Sequence, residues 1–107
     1  MADGTLMNFV TVDYMSEADM ELALVRWTDN RERYLPELTS RGMLRFTVLK
    51  IWNRQGIHRL GFWYEYRDPE AYAACKEIWA EIERMGTARQ PMKIVANRGV
   101  VVEDTSA

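Results

Sequence analysis

The apolar positions of this chain fall into two spacings, and the alternation between them marks six elements. Leu6 to Tyr14 is rich in β-branched and aromatic residues (Phe9, Val10, Thr11, Val12, Tyr14), the composition of a strand. Ser16 follows as a helix N-cap, with Glu17 and Asp19 placing negative charge where the helix dipole favours it. Met20, Ala23, Leu24, Trp27, Tyr34 and Leu38 then recur at spacings of three, four and seven, the signature of an amphipathic helix. Pro36 lacks an N–H and its ring meets the carbonyl four residues back, so a kink there, or a break near Tyr34, is expected. Gly42 suits the position just past the helix end.

Met43 to Trp52 and Ile57 to Arg67 read as two strands joined by Asn53-Arg54-Gln55-Gly56, whose Asn and Gly tolerate positive φ, so a β-hairpin is expected. Asp68-Pro69-Glu70 starts a second helix: a capping carboxylate, proline at the first helical position, then another acid. Tyr72, Cys75, Ile78, Trp79, Ile82 and Met85 form its apolar stripe, and Gly86 ends it. After a loop carrying Pro91, Met92 to Val102 reads as the last strand. Only the ends, Met1 to Gly4 and Asp104 to Ala107, look loose. The order β-α-β-β-α-β predicts an α+β, ferredoxin-like domain over residues 1–107: a four-stranded antiparallel sheet with both helices on one face.

Pairing Asn53 with Gly56 fixes a hairpin register. One face then carries Trp52–Ile57, Lys50–Arg59, Val48–Gly61, Phe46–Trp63 and Leu44–Glu65, and we assign it to the helices, with Gly61 giving room for a helix to approach. The other carries Ile51–His58, Leu49–Leu60, Thr47–Phe62, Arg45–Tyr64 and Met43–Tyr66. That second face is still mostly apolar, where a wet sheet face would alternate with polar residues. Leaving it exposed forgoes roughly 1.5–3 kcal/mol per large side chain, and no third helix exists to cover it. A second copy of the same sheet is the economical cover, so a homodimer packed sheet to sheet is expected. A slip of one residue would disperse both sets and give Lys50 and Arg59 new neighbours.

Charge and composition narrow the function classes. The chain has 107 residues, the size of one domain, and its 14 basic and 16 acidic side chains leave a net charge of −2, without the footprint of a nucleic-acid or anionic-membrane binder. One Cys and one His make neither a disulfide nor a zinc site. The start Met1-Ala2-Asp3-Gly4 lacks a signal-peptide pattern and no stretch approaches the ~18 apolar residues of a membrane span, so a cytoplasmic location is expected. No glycine-rich phosphate loop or nucleophile-elbow serine is present in the sequence.

The segment Phe62-Trp63-Tyr64-Glu65-Tyr66-Arg67-Asp68-Pro69-Glu70-Ala71-Tyr72, together with the element order, resembles the dimeric α/β-barrel superfamily. That group includes antibiotic-biosynthesis-type monooxygenases, haem-degrading monooxygenases and NIPSNAP-like proteins. The resemblance implies two ferredoxin-like subunits packed sheet to sheet, each holding a small, often aromatic, ligand, with the residue at Tyr66 on the barrel side. It also implies an aromatic at Tyr66, an acid at Tyr64 and a His at Cys75. The acid and the His are missing, and the aromatic stands as Tyr, so the resemblance argues against haem degradation.

The candidate residues follow from chemistry. His58, the one imidazole, and Tyr64 are the candidates for moving a proton. Arg45, on a mostly apolar face, either holds a ligand carboxylate or pairs with an acid across the dimer seam. Tyr66 would orient a ring or carbonyl, with Thr47, Leu60 and Phe62 as the wall of the site. Asn8 is a further polar handle, Trp27, Trp63 and Trp79 are read as core, and Cys75 as a small buried hydrophobe. Two functions stay open. One is a small-molecule-binding protein acting as a cofactor-independent monooxygenase- or isomerase-like enzyme on an apolar or aromatic compound, with no metal or organic cofactor. The other is a non-catalytic dimeric binding or stress-related module.

Overall fold

The computed structural model describes residues 5–86 and 92–105. The loop carrying Pro91, the Met85 side chain, and the ends at Met1 to Gly4 and Ser106 to Ala107 lie outside the described residues. The elements are β1 (Leu6–Tyr14), α1 (Glu17–Ser40), β2 (Met43–Lys50), β3 (His58–Tyr66), α2 (Pro69–Gly86) and β4 (Met92–Val100), in the expected order. The four strands form one antiparallel sheet in the order β2-β3-β1-β4. Both helices pack on one face of it.

The helix boundaries follow local chemistry. The Asp19 N–H donates to the Ser16 hydroxyl at 3.1 Å, and the Ala71 N–H donates to the Asp68 carboxylate at 2.7 Å. That backbone bond holds the Asp68 carboxyl below its usual pKa. Helix α1 runs unbroken through Pro36, which lies on its exposed side, so the expected break near Tyr34 does not occur. Arg41 then ties the two helices together: its guanidinium donates to the Ala74 carbonyl and pairs with Glu37 and Glu77.

The hairpin register differs from the expectation by one residue over most of its length. Met43 does pair with Tyr66, but Arg45 pairs with Glu65, Phe46 with Tyr64, Thr47 with Trp63, Val48 with Phe62, Leu49 with Gly61 and Lys50 with Leu60. Leu44 and Arg45 together oppose one residue, a β-bulge that admits an extra residue into β2. Strand β2 also stops at Lys50 and β3 starts at His58, so Trp52 and Ile57 belong to a loop rather than to the ladder. A connection that long leaves the register to packing, whereas a two-residue turn would have dictated it.

The slip reverses β3. Leu60, Phe62, Tyr64 and Tyr66 face the helices, not the open side as expected; Gly61, Trp63 and Glu65 face the open side, not the helices. On β2, Phe46, Val48 and Lys50 keep the helix side while Thr47 and Leu49 keep the open side, as expected. Trp63 is therefore no part of the core: it is 38% exposed and packs on Phe9 at 5.1 Å between ring centroids. Gly61 makes room for Phe9, since a Cβ there would sit 3.1 Å from that ring. Lys50 and Arg59 no longer face each other; Lys50 pairs with Glu21, and Arg59 grips Asp13 with two nitrogens on the open face. That guanidinium holds the Asp13 carboxyl below its usual pKa.

Gly42 closes α1 at φ 108°, and a Cβ added there would lie 2.5 Å from the Ala71 Cβ. Gly42→Ala is expected to cost about 1–3 kcal/mol, from left-handed strain added to a clash at a buried contact. A urea titration reads this as a lower midpoint at unchanged slope.

Candidate functional site

The side chains between helices and sheet form two buried clusters. The first holds Leu6, Tyr34, Leu38, Met43, Tyr66, Ala71, Cys75 and Ile78; the second holds Val12, Tyr14, Met20 and Leu60. Between them lies a band in which burial is incomplete. Val10 and Phe62 pair across the two central strands and point toward the helices, yet both are only half buried. Next along the same strands Asn8 pairs with Tyr64. Two central strands beneath helices normally present their most deeply buried residues. A half-exposed apolar stretch there offers a ligand apolar walls.

The band is lined with aromatic rings. Tyr64 meets Trp79 edge to face at 4.9 Å and Phe46 at 5.0 Å, and Phe46 stacks on Phe62 at 6.1 Å. The Trp79 indole N–H donates to the Tyr66 hydroxyl at 2.9 Å, which fixes the indole and leaves the phenolic O–H free to donate. Asn8 is 6% exposed, and among the described residues its carboxamide oxygen accepts no hydrogen bond. Such an acceptor costs roughly 1–3 kcal/mol of desolvation until something donates to it. Arg98, beside Asn8 in the β1–β4 register, stands over the Tyr72 ring at 5.3 Å and supplies positive charge at this end.

Ionisation here favours neutral groups. Burial holds the Tyr64 and Tyr66 phenols well above the usual tyrosine pKa, so both are hydrogen-bond donors at neutral pH and not bases. Burial likewise raises the Cys75 thiol, which donates to the Leu38 carbonyl at 3.6 Å, consistent with its reading as a small buried hydrophobe.

The expected site residues are divided by the structure. Leu60, Phe62, Tyr64 and Tyr66 share the helix-facing side of β3, although Leu60 is wholly buried in the second cluster. Thr47 lies on the open side, across from Trp63, and Arg45 lies opposite Glu65 and not Tyr64. His58 begins β3 opposite Tyr14, six residues from Tyr64, or about 20 Å at strand rise. The proton-moving pair expected from His58 and Tyr64 is therefore not brought together. Trp79 and Arg98 were not legible as site residues, because their places depend on contacts across the sheet. Asn8 had a signal: it is the polar member of a face otherwise made of Leu6, Val10, Val12 and Tyr14.

A concavity of about 480 Å³ opens between α1 and the edge strand β2, with Trp27, Leu35, Phe46 and Val48 among its walls and Arg31 and Arg45 also lining it. Among the described residues no group of His, Cys, Asp and Glu is placed to hold a metal ion.

Residues 3–101 match the family model of a domain of unknown function, DUF6974. The chain belongs to that family. No curated protein matches the sequence. Two dimeric ferredoxin-like proteins from an uncultured marine organism superpose with TM-scores of 0.84 each; one is 29% identical over 96% of this chain and 99% of its own, the other 24% identical over 94% and 98%. A Bacillus cereus protein named as an antibiotic-biosynthesis monooxygenase is 15% identical over 97% of this chain and 100% of its own, with a TM-score of 0.63. The fold is thus ferredoxin-like, and these likenesses fix the architecture rather than the chemistry.

Tyr66→Phe removes the acceptor of the Trp79 indole. It is expected to destabilise by about 1–2 kcal/mol, with a change in tryptophan emission as that indole N–H loses its partner. Unfolding curves at neutral pH, followed by fluorescence, check both effects.

Proposed function

We propose that this chain is a homodimeric binding protein for a small, largely aromatic molecule, held in the half-buried aromatic band between helices and sheet. The observation that carries the reading is the Asn8 carboxamide oxygen, buried without a donor on an otherwise apolar face. It asks for a ligand O–H or N–H. Tyr64 and Tyr66, kept protonated by burial, would donate to an oxygen of the same ligand, and Phe62, Phe46 and Trp79 would flank its ring. Binding is favoured over turnover because, among the described residues, the phenols beside Asn8 are protonated and His58 lies at the far end of β3. The arrangement calls for no metal or organic cofactor.

Dimerisation is supported by the open face of the sheet. Met7, Phe9, Leu49, Trp63 and Val95 make it substantially apolar, and no helix covers it. Light scattering should report two chains per particle. Trp63→Glu, which places a charge at the middle of that face, should yield monomers that keep their helical circular dichroism. A monomeric parent protein would remove the dimer from the proposal.

The ligand reading is checked with 2-naphthol, a ring carrying one donor. Asn8→Leu should leave the free protein as stable as the parent or more stable, because an unsatisfied buried group is replaced by an apolar one of similar shape. The same variant should lose the naphthol-induced rise in melting temperature. Retention of that rise in Asn8→Leu overturns the assignment of the site.

A further inference from the structure

From the concavity between α1 and β2 we infer a second binding site, specific for an anionic amphiphile: an aromatic body bearing a carboxylate. Its volume, about 480 Å³, lies in the ~300–1,000 Å³ range of small-molecule pockets. Its walls are apolar and partly aromatic, with Trp27 and Phe46 in edge contact at 4.9 Å. Two arginines are among the residues that line it, Arg31 from α1 and Arg45 from the bulge of β2, and no Asp or Glu is among the described residues that do.

Neither arginine is used inside the fold. Residues three and four positions from Arg31 are Trp27, Thr28, Tyr34 and Leu35, so the helix offers it no acid at ion-pair spacing. Arg45 stands opposite Glu65 across the ladder, yet the two form no ion pair among the described residues. Arg41, Arg59 and Arg67, by contrast, each grip a carboxylate. An anion lying at the hollow would offer both arginines a partner, and a planar carboxylate matches the guanidinium fork. The bulge sets the phase of β2 here: Phe46 turns under the helices as a wall of the pocket, while Arg45, opposite Glu65, stands at its margin.

The site shares the Phe46 ring with the band but not Asn8, and its test tells the two apart by varying Asn8 and the arginines separately. The probes are 2-naphthoate and its neutral, near-isosteric counterpart 2-naphthamide, titrated calorimetrically into the intact protein. Naphthoate is expected to bind saturably, one per chain, and at least about tenfold more tightly than the amide, the difference of one charge-assisted interaction. Raising the salt should weaken naphthoate alone. Arg31→Gln and Arg45→Gln, both at exposed positions, should each weaken naphthoate about tenfold without lowering the melting temperature, whereas Asn8→Leu should leave its affinity unchanged.

Equal affinity for acid and amide, parental affinity in the Arg31→Gln, Arg45→Gln double variant, or no saturable binding of naphthoate would each overturn the inference. Loss of naphthoate binding in Asn8→Leu, with both arginine variants unaffected, would also overturn it, by placing the acid in the band beneath the helices. Binding of 2-naphthol beside Asn8 is read separately, from the melting temperature of the Asn8→Leu variant.

Discussion

The extra residue that β2 accommodates between Met43 and Arg45 governs how the whole sheet shares out its side chains, because a strand alternates faces at every residue. Before the bulge Met43 points at the core beneath α2; after it, Phe46 and Val48 resume the helix side in step with Tyr64 and Phe62. Without it, either Met43 or Phe46 would turn outward. Burial of Leu60 and Tyr66, the most deeply enclosed members of β3, is compatible with β2 only through this local irregularity. The aromatic stack from Trp27 through Phe46 to Tyr64 and Trp79 depends on the same adjustment.

That partition gives the two faces different chemistry. The helix side concentrates rings and keeps several buried groups neutral: burial raises the phenols of Tyr14, Tyr64 and Tyr66 and the thiol of Cys75. Such an interior is suited to holding a ligand through donated hydrogen bonds rather than to withdrawing a proton from it. The open side mixes Phe9 and Trp63 with a bidentate Asp13–Arg59 pair, a combination closer to an interface than to a core. The charge pair satisfies its own members, so a sheet laid over it would bury no lone ion.

Strand β4 completes the pattern. It pairs with β1 along its full length, but its side chains from Lys93 to Val100 are exposed on both faces, including Ile94 on the helix side. The helices lean toward β2 and β3 and leave this edge bare. Positive charge at Arg98 therefore reaches the Tyr72 ring and the neighbourhood of Asn8 from the side that no helix closes.

The sequence by itself determined the order of elements, the caps at Ser16 and Asp68, the helix stop at Gly42, the ferredoxin-like class and the burial of Cys75, because each rests on short-range chemistry or on helical spacing, whereas Trp27 and Trp79, read as core, are only partly buried. It also singled out Tyr64, Tyr66 and Phe62, which do lie together, but on the opposite face from the one inferred. Only the tertiary structure decided that side. Period-two alternation defines two faces of a strand without saying which meets the helices, and nothing in Leu44-Arg45 distinguishes a bulge from regular strand. The same one-residue shift separated Arg45 and Thr47 from the tyrosines, and distance along β3 separated His58 from them. Asn8 and Arg98 became neighbours through the β1–β4 pairing, a contact between strands more than eighty residues apart, beyond the reach of any local pattern.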